Sequence, residues 1–249
     1  MGGPIASLHP LHRADGSASY KCPATGSNVL GSVNAPIELP GRRDALKPED
    51  ATIEVFVKPG TAPGGVGERH IEGILRGALS RIILGREKGY PRRGVVITLT
   101  IIGGDNIGRG ASYLPILPAL LHTSFLALLS ASVPLSMTLS ATVLAVDLSG
   151  EIIREPSCAN AAAAASLHVL AFTSKGHLLL NESEGTFDFD TWERVYERAQ
   201  AICHGTSALG ADGDVAMSEN ADAQPLEGVL RDTVEDRIHV EYAWKVDAA

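Results

Sequence analysis

The chain has 249 residues, 45% of them hydrophobic and 20% charged, with a formal net charge of −8. That length suffices for one large or two small domains, and the negative balance argues against a protein that grips nucleic acid unaided, since such affinity comes largely from Lys and Arg displacing counterions from phosphates. Cys22, Cys158 and Cys203 are odd in number, widely spaced and in no CxxC pair, which gives no support to a disulfide framework or a zinc knuckle and fits a reducing compartment.

The opening residues carry no basic-then-apolar secretion signal and no Ser or Thr at position six for myristoylation. Asp15-Gly16 marks a turn into a short strand over 14–20, and Val29, Leu30 and Val33 place another over 28–33. Residues 36–48 are rich in Pro and charge and read as a loop. Residues 52–57 alternate cleanly and form a third strand, closed by Pro59 and a Gly-rich run to Gly67. An antiparallel meander is therefore expected ahead of the first helix.

In that helix Ile71, Ile74, Leu75, Ala78, Leu79, Ile82 and Ile83 recur at the spacing that lines one face, and Gly85 is expected to stop it. The β-branched run 95–102 reads as a strand inside a sheet. Residues 117–129 are apolar nearly all round, as in a helix enclosed by protein. Pro115, Pro118, His122, Thr123 and Ser124 interrupt the longer greasy stretch and disfavour a membrane span. After Pro134, Leu135, Met137, Leu139, Ala141 and Val143 alternate with Ser136, Thr138, Ser140 and Thr142, which predicts a strand with an apolar face inward and a hydroxyl face elsewhere.

Two hairpins follow, one around Leu148-Ser149-Gly150 and one around Ser174-Lys175-Gly176, with the Ala-rich 159–165 between them read as loop or a frayed turn. Asp190 and Glu193 have the spacing of a capping box for a helix carrying Trp192, Val195, Tyr196, Ala199 and Ile202 on one face and ended by Gly205. Residues 207–224, rich in Ala, Gly, Asp and Ser, are expected to be disordered or a loose loop. Leu226, Val229, Leu230, Val234 and Ile238 then predict a terminal helix docking on the body.

Motifs that carry chemistry are sparse. Gly64-Gly65-Val66-Gly67 precedes a helix, yet there is no GxxxxGK[ST] and no third glycine of a dinucleotide fingerprint. His70-Ile71-Glu72 lacks the Pro-Cys-x-x-Cys that a zinc deaminase would add. No GxSxG, HExxH or EF-hand loop is present. Arg86, Lys88, Arg92 and Arg93 read as favourable charge at a helix C-terminus and a hydrated turn. No cofactor and no metal are expected.

The order of several segments carries more. Val66-Gly67-Glu68-Arg69-His70-Ile71-Glu72-Gly73-Ile74-Leu75-Arg76-Gly77-Ala78-Leu79, Tyr90-Pro91-Arg92, the strand 95–102, Phe125-Leu126-Ala127-Leu128, Val133-Pro134-Leu135, Val146-Asp147 and 167–182 follow one another as they do in the RNase PH family, which the chain resembles. Ala14-Asp15-Gly16-Ser17-Ala18 and Gly31-Ser32-Val33-Asn34-Ala35-Pro36-Ile37-Glu38 look like the first strands of its ring subunits in the eukaryotic RNA exosome.

The resemblance implies an α+β fold of the RNase PH type (ribosomal protein S5 domain 2-like, βαβα), with mixed sheets packed against helices. It implies an RNase PH-like domain over 11–205, an acidic low-complexity loop over 206–225 and a C-terminal helix over 226–246. The implied partners are another RNase PH-like subunit in a heterodimer, a six-membered ring, RNA-binding cap subunits and a separate hydrolytic 3'-5' exoribonuclease to which RNA is threaded. The implied setting is rRNA processing and RNA decay in nucleus, nucleolus and cytoplasm, away from membranes. Lys58 and Arg69 are the candidate RNA contacts.

Active members of that family hold phosphate with an Arg ahead of the buried helix and carry two acidic residues six apart after the first hairpin. The Arg orients the attacking phosphate and the carboxylates support metal or proton chemistry at the leaving oxygen. The first acidic position corresponds to Glu155, whereas the second is Ala161, which cannot substitute. For the Arg two registers compete. Counting back from Phe125-Leu126-Ala127-Leu128 places Leu117 there; local wording places Arg109 there and needs extra residues before the helix. The first is preferred, because a helix with a fixed apolar face tolerates insertion only in the loop ahead of it. Gly73 also stands where active members carry an Arg. The expectation is a subunit with no catalytic residues, Arg109 holding phosphate only under the alternative of an active phosphorolytic 3'-5' exoribonuclease.

Overall fold

The computed structural model describes residues 3–38, 48–60, 64–103, 112–205 and 224–246. The expected loop over 36–48 and the acidic segment over 207–224 fall largely outside them, as does Arg109. The architecture is α+β. Five strands, β1 (Ile5–Leu8), β2 (Gly16–Cys22), β3 (Ser27–Ile37), β4 (Thr52–Pro59) and β5 (Gly94–Gly103), form a mixed sheet in the order β1-β2-β3-β5-β4. A second, antiparallel sheet runs β7-β6-β8-β9, from β6 (Leu139–Val146), β7 (Ile152–Arg154), β8 (Ser166–Thr173) and β9 (Leu178–Gly185).

Helices α1 (Val66–Ile82) and α2 (Leu117–Ser130) fill the space between the sheets, and α4 (Phe189–His204) covers the far face of the second. In α1 the buried Ile71, Leu75, Ala78, Leu79 and Ile82 form the expected stripe. Along β5, Val95, Ile97, Leu99 and Ile101 are buried while Thr98 and Thr100 are half-buried, so one face meets the helices. Enclosure of α2 requires its polar side chains to be satisfied internally. Thr123 Oγ1 donates to the Ala119 carbonyl at 2.7 Å, Ser124 Oγ to that of Leu120 at 2.7 Å, and His122 Nε2 accepts the Ala141 N–H at 2.9 Å. No helix among the described residues is long and apolar enough to cross a membrane.

The structure corrects several expectations. β1 was not foreseen, since four residues supply too little pattern. β4 does not extend a meander: β5 lies between β3 and β4 and pairs parallel with β4, because α1 carries the chain across before it returns. β6 begins at Leu139, Leu135 making only an isolated bridge to Ile83, and both its faces are buried. Its hydroxyl side, Ser140 and Thr142, shares the α4 face with Leu144 and Val146. Residues Cys158–Ala163 form a short helix, α3, whose N-cap Ser157 accepts the Asn160 N–H at 3.3 Å. Asp190 caps nothing: the N-cap is Asp188, without a side-chain cap bond, and Asp190 adds negative charge to the first turn. α1 ends at Ile82 with an extended Ile83, ahead of Gly85; a Cβ on Gly85 would meet the Ala51 backbone nitrogen at 2.9 Å, so close packing is what needs glycine there. The terminal segment forms α5 (Leu226–Glu241) and α6 (Ala243–Val246), with Leu226 and Leu230 buried.

Candidate functional site

The N-terminal end of α2 opens toward the place where both sheets come together. Pro115 from a 3-10 turn (Leu114–Ile116) and Pro118, Ala119 and His122 from α2 form one wall. Tyr20, Cys22 and Thr25 come from β2 and the turn after it, Ala141, Thr142 and Val143 from β6, and Leu226 of α5 closes the top. Among the described residues Glu155 supplies the only carboxylate of the lining, and the cavity measures about 20 Å³. Space of that size takes about one water molecule.

Its chemistry is muted by burial. His122 is 1% exposed, and desolvation pushes its imidazole down to about 4, so it is neutral near pH 7. Because Nε2 accepts from Ala141, the proton of the neutral ring sits on Nδ1, which finds no hydrogen-bond partner among the described residues. Tyr20, packed on His122 with ring centroids 5.0 Å apart, has its phenol pushed up by burial and by nearby Cys22 and Glu155. Cys203, on α4, is pushed up to about 12 by burial and is an inert thiol. Glu155 leaves β7 with φ 49, a left-handed conformation uncommon for a non-glycine residue, its N–H bonded to the Val143 carbonyl at 3.1 Å. One carboxylate oxygen lies 3.6 Å from Arg154.

Ala161 sits on α3, packed against the main core and outside the cavity lining. Leu117 is fully buried in that core. Gly73 faces open space on α1, where a side chain would meet nothing within 4 Å, so no steric demand selects glycine there. The structure therefore groups Glu155 with His122 and Tyr20. Neither of the latter two was picked out as a site residue, because each follows the burial pattern of its own element and only topology brings them together. Among the described residues no group of three His, Cys, Asp or Glu could hold a metal ion.

Lys58 and Arg69 lie elsewhere, both exposed, at the end of β4 and in the first turn of α1. Glu72 links the two elements: Oε1 accepts the Val57 N–H at 3.0 Å and Oε2 meets Arg69 at 3.3 Å. Beside them Glu68 accepts the Gly65 N–H at 2.6 Å and the Tyr113 hydroxyl. The Tyr113 bond chiefly holds the Glu68 carboxyl below the usual range, while burial and Glu68 push the phenol up. A Cβ at Gly67 would come within 2.7 Å of the Tyr113 ring, so glycine lets that ring lie on the helix start. Tyr113→Phe is expected to cost about 1–2 kcal/mol in urea unfolding at pH 7, a charge-assisted bond being lost. A carboxyl held low stabilises the fold above its unfolded pKa and loses that contribution as pH falls. The deficit of the variant should therefore shrink toward pH 3.

The chain is 33% identical over 146 residues to the exosome complex exonuclease RRP46 homolog of rice, Oryza sativa subsp. japonica, a match covering 58% of this chain and 55% of that protein. It thus spans about half the length of that curated relative. Its fold is similar to the crystal structure of rice Rrp46, with a TM-score of 0.68 and 28% identity over 78% of this chain and 86% of that one. A chain of the Archaeoglobus fulgidus exosome solved with RNA bound to the active site gives a TM-score of 0.63 over 79% and 84% of the two chains. At 12% identity that likeness speaks to the fold alone. No family model matches.

Proposed function

We propose, for a chain that has the RNase PH-like fold and resembles the RRP46 ring subunits of RNA exosomes, that it is a non-catalytic member of such a ring. In that role it forms part of the channel through which RNA reaches a separate 3'-5' exoribonuclease. It works beside other RNase PH-like subunits and RNA-binding caps, in rRNA processing and RNA decay in nucleus, nucleolus and cytoplasm. Lys58 and Arg69, exposed on one rim, are its RNA contacts.

The cavity at the start of α2 carries this reading. Phosphate attack on RNA calls for a cation to orient the phosphate and for a pair of carboxylates. Among the described residues one carboxylate, already beside Arg154, faces a neutral imidazole and a phenol under a leucine lid. The position six residues on is an alanine in a separate helix. One feature favours the second reading, an active phosphorolytic exoribonuclease using Glu155 and Arg109: the left-handed backbone of Glu155, since strained conformations gather at working sites.

The purified chain, given inorganic phosphate and a 3'-extended RNA, is expected to release nucleoside diphosphates no faster than buffer does. Arg109→Ala is expected to change no chemistry, alone or in the complex. Phosphate-dependent release that disappears in both Arg109→Ala and Glu155→Gln would establish the second reading instead.

A further inference from the structure

Helix α4 carries an aromatic surface that the fold uses only at its inner end, where Tyr196 packs on Phe172. Phe189, Trp192 and Tyr196 fall at three- and four-residue spacing and form a ladder of rings down one side. Centroids are 6.1 Å apart for Phe189 and Trp192 and 5.5 Å for Trp192 and Tyr196, with planes inclined by 29° and 31°. Phe189 is 71% exposed and Phe187, just before the helix, 39%. The helix is held to its sheet by a neighbouring stripe, Val195, Ala199, Ile202 and Cys203. Beyond that stripe and Tyr196, the exposed Phe189 and the half-buried Trp192 keep ring surface open. In a chain with five Phe, five Tyr and two Trp, the three rings of this ladder are a concentrated apolar patch, while Phe187 meets His168 edge-on at 4.6 Å.

On its solvent side the ladder is bordered by acidic residues. At about 100° per residue, Glu193, Glu197 and Asp190 follow the ladder round the helix on its solvent side, and Asp188 precedes it. All four are exposed and have no ion-pair partner among the described residues. Arg194 and the exposed Arg198 stand farther round, Arg194 donating to the Gly150 carbonyl at 3.2 Å. Aromatic rings bordered by carboxylates suit a cationic side chain lying over the ring faces with its charge met at the rim. Nucleic acid is the wrong occupant, because its phosphates would meet the same carboxylates.

We propose that this face of α4 docks a lysine- and arginine-bearing surface of a neighbouring protein subunit; the inference rests on the ring reading and specifies one of its contacts. The test uses the assembled complex from its source, its composition fixed by native mass. Trp192 is expected to oxidise about tenfold more slowly there than in the isolated chain. Carbodiimide is expected to link Asp190, Glu193 or Glu197 to a lysine of another subunit. The exposed double substitution Glu193→Lys, Glu197→Lys should leave thermal melting unchanged and reduce incorporation about tenfold. A complex in which Trp192 stays as reactive as in the isolated chain and no such link forms overturns this inference and leaves the ring standing. A chain that purifies alone overturns both. Protection of Trp192 in the isolated chain by oligouridylate would make the face an RNA platform and overturn the proposal as well.

Discussion

Phe172→Ala is expected to lower stability by about 3–5 kcal/mol, a large part of the 5–15 kcal/mol typical of a domain. Phe172 is fully buried on the face of β8 that looks toward α4, among Leu144, Val146, Leu170, Val195, Ala199, Ile202, Cys203 and Leu226. Tyr196 meets its ring edge-on at 5.4 Å and His204 at 6.0 Å. This cluster is small and closed on its outer side by α4, with only Leu226 of α5 beside it, so few apolar neighbours can shift to fill the void. The cost should sit near the upper end of the range. Urea unfolding at pH 7 measures it, with Leu148→Ala as the control: Leu148 is 86% exposed, and its loss should change stability by less than about 0.5 kcal/mol.

Acidification is the second large effect. His122 has a folded pKa of about 4 against an ordinary value of 6.5. Above pH 6.5 the ring is neutral whether the chain is folded or not, and stability does not depend on it. Between 6.5 and 4 the unfolded chain takes up a proton that the folded chain refuses, so stability falls with pH throughout that window. By linkage the loss approaches about 3 kcal/mol, at 1.36 kcal/mol per unit. Protonation would also set an N–H against the Ala141 N–H that Nε2 now accepts. His122→Gln keeps an acceptor for Ala141 and removes the titration, so it should flatten the stability curve between pH 6.5 and 4. An unchanged slope in that variant would mean that another group carries the acid sensitivity.

Where one period dominated, the elements could be read from residue order. The stripe of α1, the all-round apolar α2 and the two hairpins of the second sheet all appear where the pattern put them. Misreadings came from information that the pattern does not contain. Ser140 and Thr142 have the polarity of an outer face, but α4 arrives from much later in the chain and buries them. The run 52–57 says that a strand exists there and nothing about its neighbour, which the crossover through α1 decides. Of the cavity, Glu155 is reached only through the family resemblance, as its first acidic position after the hairpin. His122 counted only as an interruption of a greasy helix, and Leu226 only as the first apolar residue of the last one.

The link between Glu72 and Val57 has a consequence for assembly. β4 is the outermost strand of its sheet, and an outermost strand ordinarily offers its unpaired amides to any extended peptide that drifts past. Glu72 occupies one such amide from above, at 3.0 Å, while its other oxygen holds Arg69. A foreign strand could add to this side only by expelling an anion that is already engaged twice. Open-ended sheet growth from β4 is thereby discouraged by a single helical side chain, and the same anion fixes where the arginine of the rim can stand.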